Sequence, residues 1–198
     1  MSSEPVRRPG GRTARIRAAV LAAVEAELLD HGYDALTVDT VAERAGVHRA
    51  TVYRRWHDVG GLLADALDAG REDDWCPPDH GSLAADLAAL NRDVLVHLTG
   101  ERSLSRALIA ASFRSSAAAE ALQRFLDDRY RRSEIVVTRA VARGEVSADT
   151  DARRLLVAAT APVYHEILLL GEDADDDLAV RYATDAARSA RAGAYAGR

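Results

Sequence analysis

The stretch that most constrains the fold runs from Thr37 to Trp56 and reads TVDTVAERAGVHRATVYRRW. It holds two short segments with apolar residues at helical spacing, and Gly46 and Val47 separate them. Thr37 stands before the first segment in the position of a helix N-cap, and His48 stands before the second. We therefore predict two short helices joined by a tight turn in which Gly46 adopts a left-handed conformation.

The residue sizes in this stretch suit a helix-turn-helix, in which two short helices cross steeply. Ala42 is small enough for the second helix to approach the first. Apolar side chains that can fix both helices onto a preceding helix stand at Val41, Val47 and Val52. At about 100° per residue, Val52 shares one side of the second helix with Trp56, and we assign that side to the core.

The second helix is basic in a chain that is acidic as a whole. The net charge is −5, yet residues 1–57 carry nine arginines against seven acidic residues, while residues 58–198 carry 17 against 24. Residues 44–57 contain four arginines and no acidic residue. Local positive charge of this kind suits phosphate binding at one face, although an ordinary solvated helix face would look the same.

The residues of the second helix outside its core side suit contacts with duplex DNA. Arg49 lies near its N-terminus, where a guanidinium can form two hydrogen bonds to guanine, and Ala50 can approach a thymine methyl group. The hydroxyls of Thr51 and Tyr53 can bind phosphates; the alternative for Tyr53 is a core aromatic residue, but an exposed tyrosine on so short and basic a helix favours the phosphate role. The full predicted DNA-binding set is Thr37, Arg44, His48, Arg49, Ala50, Thr51, Tyr53, Arg54, Arg55 and His57.

The rest of the chain also shows helical spacing of apolar residues, without the alternation typical of strands. Expected helices cover about 12–30, 58 to before Trp75, 82–99, 103–113, 118–143, 149–170 and 175–192. The segment 149–170 is apolar on nearly all sides from Leu155 onward, so we expect it to be covered on more than one face. The pattern predicts an all-α fold of about nine helices.

The N-terminal third of the chain resembles the TetR family of bacterial repressors. The motifs that carry the resemblance are G-Y-x-x-L-T-V (Gly32–Val38), V-A-x-x-A-G-V (Val41–Val47), T-V-Y-R-R-W (Thr51–Trp56) and L-L (Leu62, Leu63). The resemblance implies that Thr51 and Tyr53 contact phosphates and that Arg49 and Ala50 occupy base-reading positions. The chain departs from the family at Val59, where a phosphate-binding lysine is usual, and Val59 is left out of the predicted site.

The resemblance also implies the division of the chain. We expect a disordered basic arm over 1–11, a three-helix DNA-binding domain over 12–57, and a helical bundle for ligand binding and dimerisation over 58–198. The implied partners are an operator in double-stranded DNA, a small-molecule effector and a second copy of the chain. We expect the homodimer to form through the last two helices, where small residues would allow close packing, namely Ala179, Ala183, Ala186, Ala187 and Ala190. The alternative is a monomer in which the helices of the same chain bury all of these apolar faces.

Polar residues that interrupt apolar helix stripes are candidates for effector contacts. Arg129 and Ser133 stand between Leu126 and Val136, and His97 and Tyr164 stand beside other apolar runs. A buried polar group needs a partner, which can be a ligand or a neighbouring helix.

Other functional classes find little support in the sequence. Asp93 with His97 and His165 with Glu166 lack a third ligand or a nucleophile, and no glycine-rich phosphate loop is present, so we expect neither catalysis nor a cofactor or metal. Cys76 is the single cysteine, and no apolar run is long enough to span a bilayer, so we expect a cytoplasmic protein. The alternative function is a helical protein-binding adaptor with a vestigial helix-turn-helix.

Overall fold

The computed structural model describes residues 11–70, 75–100, 103–171, 173 and 175–197. Within these ranges the regular structure is helical, apart from one isolated antiparallel bridge between Thr150 and Ala196. The α-helices are α1 (Gly11–His31), α2 (Val38–Arg44), α3 (Arg49–Trp56), α4 (Val59–Gly70), α5 (Leu83–Thr99), α6 (Leu104–Ser112), α7 (Ser116–Ala142), α8 (Ala152–His165) and α9 (Asp176–Arg191). The prediction of an all-α fold with about nine helices is confirmed for the described residues. The predicted arm lies outside them, except for Gly11, which begins α1.

The helix expected over 149–170 differs from the expectation at both ends. Its first turn is absent because the backbone there pairs with the C-terminal segment: the Asp151 amide donates to the Tyr195 carbonyl at 2.7 Å, and the Gly197 amide donates to the Asp149 carbonyl at 2.8 Å. Asp151 instead caps α8. At Glu166 the helix changes to a π-helical turn (Glu166–Leu170), which ends at Gly171 with a φ of +69°.

The described residues form two compact units. The first holds the residues up to Gly70 together with Ala107–Leu122, and the second holds those of Arg71–Arg106 and Gln123–Arg198. In the first unit α4 packs on α1 and α3, with Leu62 and Leu63 fully buried. The structure thus groups α4 with the helix-turn-helix, whereas the boundary expected at 57/58 would place α4 in the C-terminal part. The functional division at that boundary stays a prediction.

The second unit is built around α5, α8 and α9, which pack on one another. The Asn91 amide group donates to the Ala179 carbonyl at 3.0 Å and ties α5 to α9. The five alanines of α9 that we assigned to a dimer interface are buried within this chain, so that assignment was wrong; they are Ala179, Ala183, Ala186, Ala187 and Ala190. Their small side chains instead let α9 approach α5 of the same subunit.

A cluster of ion pairs lies at one end of the second unit. Arg143 forms ion pairs with Asp79, Asp86 and Glu145 at 2.8–3.1 Å. Glu145 also pairs with Arg191 at 2.6 Å and accepts the Leu83 amide at 3.0 Å. Although burial opposes the shift, these cations and the amide lower the pKa of Glu145. The cluster therefore fixes the ends of α5, α7 and α9 to one another.

Candidate nucleic-acid interface and ligand cavity

The turn between α2 and α3 has the conformation that the sequence predicts. Thr37 caps α2 by accepting the Thr40 amide at 3.0 Å, and the Thr40 hydroxyl accepts the Thr37 amide at 3.1 Å, which completes a reciprocal capping box. Gly46 has a φ of +63°, and the Val47 amide donates to the Ala42 carbonyl at 3.0 Å. The His48 ring caps α3 by accepting the Ala50 amide at 3.3 Å. Both N-caps and the left-handed glycine are confirmed.

The third helix has one buried face and one exposed face. Val52 is fully buried and Trp56 is 4% exposed, so this face holds α3 on the first unit. The exposed residues are Arg49, Ala50, Tyr53, Arg54 and Arg55, while Thr51 is half-buried. Tyr53 exposes 45% of its surface, which rules out the core alternative for that residue, and Trp56 is a core residue as expected. The predicted base-reading and phosphate-binding side chains of α3 thus share one accessible surface.

A carboxylate that sequence reasoning missed fixes the buried face. Asp65 on α4 accepts the Trp56 indole N–H at 2.8 Å and two Arg17 donors at 2.7 and 3.0 Å. Burial opposes ionisation, but the hydrogen bonds from Arg17 and Trp56 prevail and lower the pKa of Asp65. Arg17 and Asp65 are 48 residues apart, so no local spacing could have indicated the pair.

Arg44 forms ion pairs with residues of the same chain. It pairs with the buried Glu27 and, at 2.7 Å, with Asp30, both on α1. The hydrogen bonds that Arg44 donates to Asp30 and Glu27 raise the pKa of its guanidinium. These pairs anchor α2 on α1, which gives Arg44 a structural role, and its predicted phosphate contact stays a prediction.

The connection from α3 to α4 is a tight turn centred on His57, whose φ is +63° although it is not a glycine. The Asp58 amide donates to the Trp56 carbonyl at 2.7 Å, which is the i to i+2 hydrogen bond of a γ-turn. The Asp58 carboxylate accepts the Gly61 amide at 2.8 Å. A Cβ atom on Gly61 would lie 2.0 Å from the Trp56 carbonyl oxygen, so only glycine fits there.

Two further positions lie at the C-terminal end of α3 and the start of α4. Arg55 stacks its guanidinium over the Trp56 ring at 4.9 Å from the centroid. Val59, which stands where the family usually has lysine, is the half-buried first residue of α4.

The second unit contains a cleft of about 610 Å³, counting the space at its open mouth. All four residues predicted as effector contacts line it: His97, Arg129, Ser133 and Tyr164. The structure therefore brings them together, although they come from three helices. Sequence reasoning missed the other polar and aromatic lining residues, which are Trp75, Asp93, Phe125, Tyr130 and Thr160. Several lining residues recur four positions apart along a helix, at 125, 129 and 133 on α7 and at 156, 160 and 164 on α8. That spacing could have indicated them.

The polar groups of the cleft are linked to the surrounding helices. The Thr160 hydroxyl donates to the Leu156 carbonyl at 3.0 Å, so the Tyr130 hydroxyl at 2.9 Å donates to Thr160. The Ser133 hydroxyl donates to the Arg129 carbonyl at 2.8 Å. Burial, reinforced by Tyr130, raises the pKa of Tyr164 to about 12, which keeps its hydroxyl protonated at neutral pH.

Within the described ranges, no group of three or more His, Cys, Asp or Glu side chains could hold a metal ion, and no helix is long and apolar enough to cross a membrane.

Two short helices joined by a left-handed glycine turn, with the second helix exposed and basic, define a helix-turn-helix DNA-binding protein. Two family models match the chain: "Bacterial regulatory proteins, tetR family" over residues 20–66, and "Tetracyclin repressor-like, C-terminal domain" over residues 77–186. The chain belongs to the TetR family of DNA-binding transcriptional regulators, as its motifs led us to expect.

Individual relatives agree with this assignment. The HTH-type transcriptional regulator AqdR of Rhodococcus erythropolis is 31% identical over 82% of this chain and 79% of its own length. The DNA-binding transcriptional repressor TetR of Mycobacteroides abscessus is 29% identical over 85% of this chain and 90% of its own length. The regulator Rv1556 of Mycobacterium tuberculosis is 38% identical over 65% of this chain, which spans 64% of that relative. The crystal structure of the TetR family transcription regulator SCO0332 matches with a TM-score of 0.66 and 30% identity, over 88% of this chain and 97% of that one.

Proposed function

We propose that the protein is a ligand-responsive repressor that binds a palindromic operator as a homodimer and reads it with Arg49–Trp56. The observation that carries this proposal is the exposed face of α3, where Arg49, Ala50, Tyr53 and Arg54 are accessible while Val52 and Trp56 hold the helix in place. No acidic residue interrupts the segment 44–57. An exposed, acid-free helix can enter the negatively charged major groove without a desolvated carboxylate facing the phosphates.

We assign base readout to Arg49 and Ala50, because residues near the N-terminus of a recognition helix reach the base edges. Thr51, Tyr53, Arg54 and Arg55 are assigned to the phosphates. Thr37, Arg44, His48 and His57 flank this surface at the ends of α2 and α3, and phosphate contacts are proposed for them too.

The dimer would form through the outer faces of α8, the π-helical turn and α9. Apolar side chains remain exposed there on the single chain: Val157 at 37%, Leu169 at 75%, Leu170 at 57% and Val180 at 37%. A second copy would remove these side chains from water, which favours association at roughly 25 cal/mol per Å² of apolar surface. Two recognition helices then have to lie about 34–36 Å apart, or a multiple of that distance, to enter successive turns of the major groove.

The cleft of the second unit is the proposed effector site, since mostly apolar walls with a few polar groups are typical of small-molecule pockets. An effector that prefers a conformer with a different separation of the recognition helices weakens operator binding by its differential affinity for the two states. In this proposal the protein acts by binding and needs neither catalysis nor a cofactor. Because it binds genomic DNA, we propose that it works in the cytoplasm.

The experiment that tests the proposal begins by selecting DNA sites from a random library with the purified protein. Fluorescence anisotropy then measures the affinity of the selected duplex for the wild type and for the double variant Arg49→Ala/Tyr53→Phe. We expect the double variant to lose at least a hundredfold in affinity, whereas Arg131→Ala on the exposed side of α7 leaves it unchanged. Selection of no site, or wild-type affinity in the double variant, would contradict the assigned roles.

Salt dependence supplies a second readout from the same duplex. The logarithm of the binding constant should fall steeply with the logarithm of salt concentration, and Arg54→Ala should flatten that slope by roughly one unit.

A further inference from the structure

We propose that the cleft binds an uncharged aromatic compound that donates hydrogen bonds, such as a hydroxylated or N–H-bearing ring. This inference rests on the proposed effector site and names the class of molecule that the site takes. Three properties of the lining lead to it: aromatic walls, charges of both signs, and an excess of hydrogen-bond acceptors.

The aromatic walls come from Trp75, Phe125, Tyr130 and Tyr164, and aliphatic side chains supply most of the remainder. Such walls favour a flat aromatic ligand, since rings pack on one another in offset or edge-to-face arrangements.

The cleft contains one carboxylate, Asp93, and one guanidinium, Arg129. The Arg129 guanidinium stacks over the rings of Trp75 and Phe125, at 4.4 and 5.3 Å from their centroids, and has a further interaction within the protein. The Asp93 carboxylate would repel a negatively charged ligand, and the Arg129 guanidinium would repel a positively charged one. An uncharged ligand avoids both repulsions and the cost of desolvating an ion.

Most hydroxyl and ring N–H hydrogens of the cleft are already donated. The Tyr130 hydrogen goes to Thr160, and the Ser133 hydrogen goes to the Arg129 carbonyl. The His97 Nδ1 lies 2.6 Å from the Asp93 carbonyl oxygen, which can only accept, so the hydrogen is on Nδ1 and the neutral ring keeps Nε2 as an acceptor. The Trp75 indole donates to Asp93 at 3.3 Å.

The oxygens of these groups retain lone pairs, and so does the Asp93 carboxylate. The hydroxyl of Tyr164 is both a donor and an acceptor. Apart from Arg129, whose guanidinium already interacts within the protein, the lining therefore offers more acceptors than donors, and a ligand that supplies hydrogens satisfies groups that an apolar ligand of the same shape would leave unpaired. That difference is the source of selectivity, because a buried polar group without a partner is costly.

The test compares four compounds on one naphthalene skeleton by isothermal titration calorimetry at pH 7. They are 2-naphthol, 2-methoxynaphthalene without a donor, the anion 2-naphthoate and the cation 2-naphthylmethylammonium. We expect 2-naphthol to bind at least tenfold more tightly than each of the other three. Equal or tighter binding of 2-methoxynaphthalene, of 2-naphthoate or of the cation overturns the proposal, and so does the absence of measurable 2-naphthol binding.

Asp93→Asn supplies the matched variant, since its side-chain oxygen can still accept the Trp75 indole. It should tighten 2-naphthoate binding about tenfold and weaken 2-naphthol binding, whereas Asp127→Asn on the exposed side of α7 should change neither. Thermal unfolding of both variants checks that they fold. Unchanged 2-naphthoate affinity in Asp93→Asn would contradict the role given to that carboxylate.

Anisotropy with the selected duplex separates this proposal from the proposed function. If 2-naphthol binds but does not release DNA, the ligand class stands and the effector role fails. If DNA binds but 2-naphthol does not, the ligand class fails and the DNA-binding role stands.

Discussion

The indole nitrogen of Trp56 donates a 2.8 Å hydrogen bond to Asp65, and this bond joins the recognition helix to α4. The same carboxylate binds Arg17 through two donors, so one residue of α4 holds both the first and the third helix. Trp56 is almost completely buried, so removal of Asp65 takes away the acceptor of a buried donor. The orientation of α3 therefore depends on a residue outside the helix-turn-helix motif.

Replacing Asp65 with alanine should lower the free energy of unfolding by about 1–3 kcal/mol, because it leaves the buried Trp56 indole donor without its acceptor and removes the ion pair with Arg17. Asp65→Asn should cost less, since its amide oxygen can still accept from Trp56. Urea denaturation measures both variants, with Glu25→Ala on the exposed side of α1 as the control. If Asp65→Ala is no more destabilising than that control, the joining role of Asp65 is wrong.

Acid should destabilise the protein, since the pKa values of Asp65 and Glu145 are lowered in the folded state. Each group stabilises the fold fully above its unfolded pKa, about 4 for these carboxyls, and this contribution is lost as the pH falls through the lower folded value. The melting temperature should thus be nearly constant between pH 7 and 5 and fall below pH 4. Glu145→Gln should reduce the acid-dependent fall, and an undiminished fall in that variant would assign it to other groups.

Loss of the Thr37 cap should destabilise the first unit. Thr37→Val keeps the shape of the side chain but removes the oxygen that accepts the Thr40 amide, and caps of this kind contribute about 1 kcal/mol. Thr37→Ser retains the acceptor and should remain close to the wild type. Thermal unfolding of the two variants provides the comparison, and equal melting temperatures would show that the cap contributes little.

Substitutions at Gly60 and Gly61 should differ in how they can be rescued. A Cβ atom on Gly61 would meet the Trp56 backbone oxygen, whereas one on Gly60 would meet the Ser115 side chain at 2.1 Å. Gly60→Ala should therefore be partly rescued by Ser115→Gly, and Gly61→Ala should not. A double-mutant cycle in urea measures the coupling. Additive effects of Gly60→Ala and Ser115→Gly would contradict the close contact.

Local features of the first unit could be predicted from the sequence because they depend on neighbours along the chain. The caps at Thr37 and His48, the left-handed Gly46 and the buried face of α3 follow from residue types a few positions apart. The role of Asp65 could not be predicted in this way, since its partner Arg17 comes from a distant helix. The positive φ of His57 was also missed, because nothing in a histidine signals a γ-turn.

In the second unit the sequence identified which residues are small but not what packs against them. The α9 alanines pack on the same chain, and the large apolar residues left exposed on α8, the π-helical turn and α9 are Val157, Leu169, Leu170 and Val180. The spacing of apolar residues shows that a helix has to be buried on more than one side. It does not show whether other helices of the same chain or a second copy of the chain bury it. The cleft residues were partly predictable, since polar interruptions of apolar stripes drew attention to Arg129 and Tyr164.

The separation of the two faces of α3 has a consequence for how this protein can change. Val52 and Trp56 hold the helix, while Arg49, Ala50 and Arg54 are exposed on the single chain. Substitutions at the exposed positions leave the supporting contacts intact, so in the proposed mode of DNA binding new operator preferences can be acquired one residue at a time without loss of folding. A library randomised at these three positions is therefore a suitable starting point for repressors with chosen DNA targets.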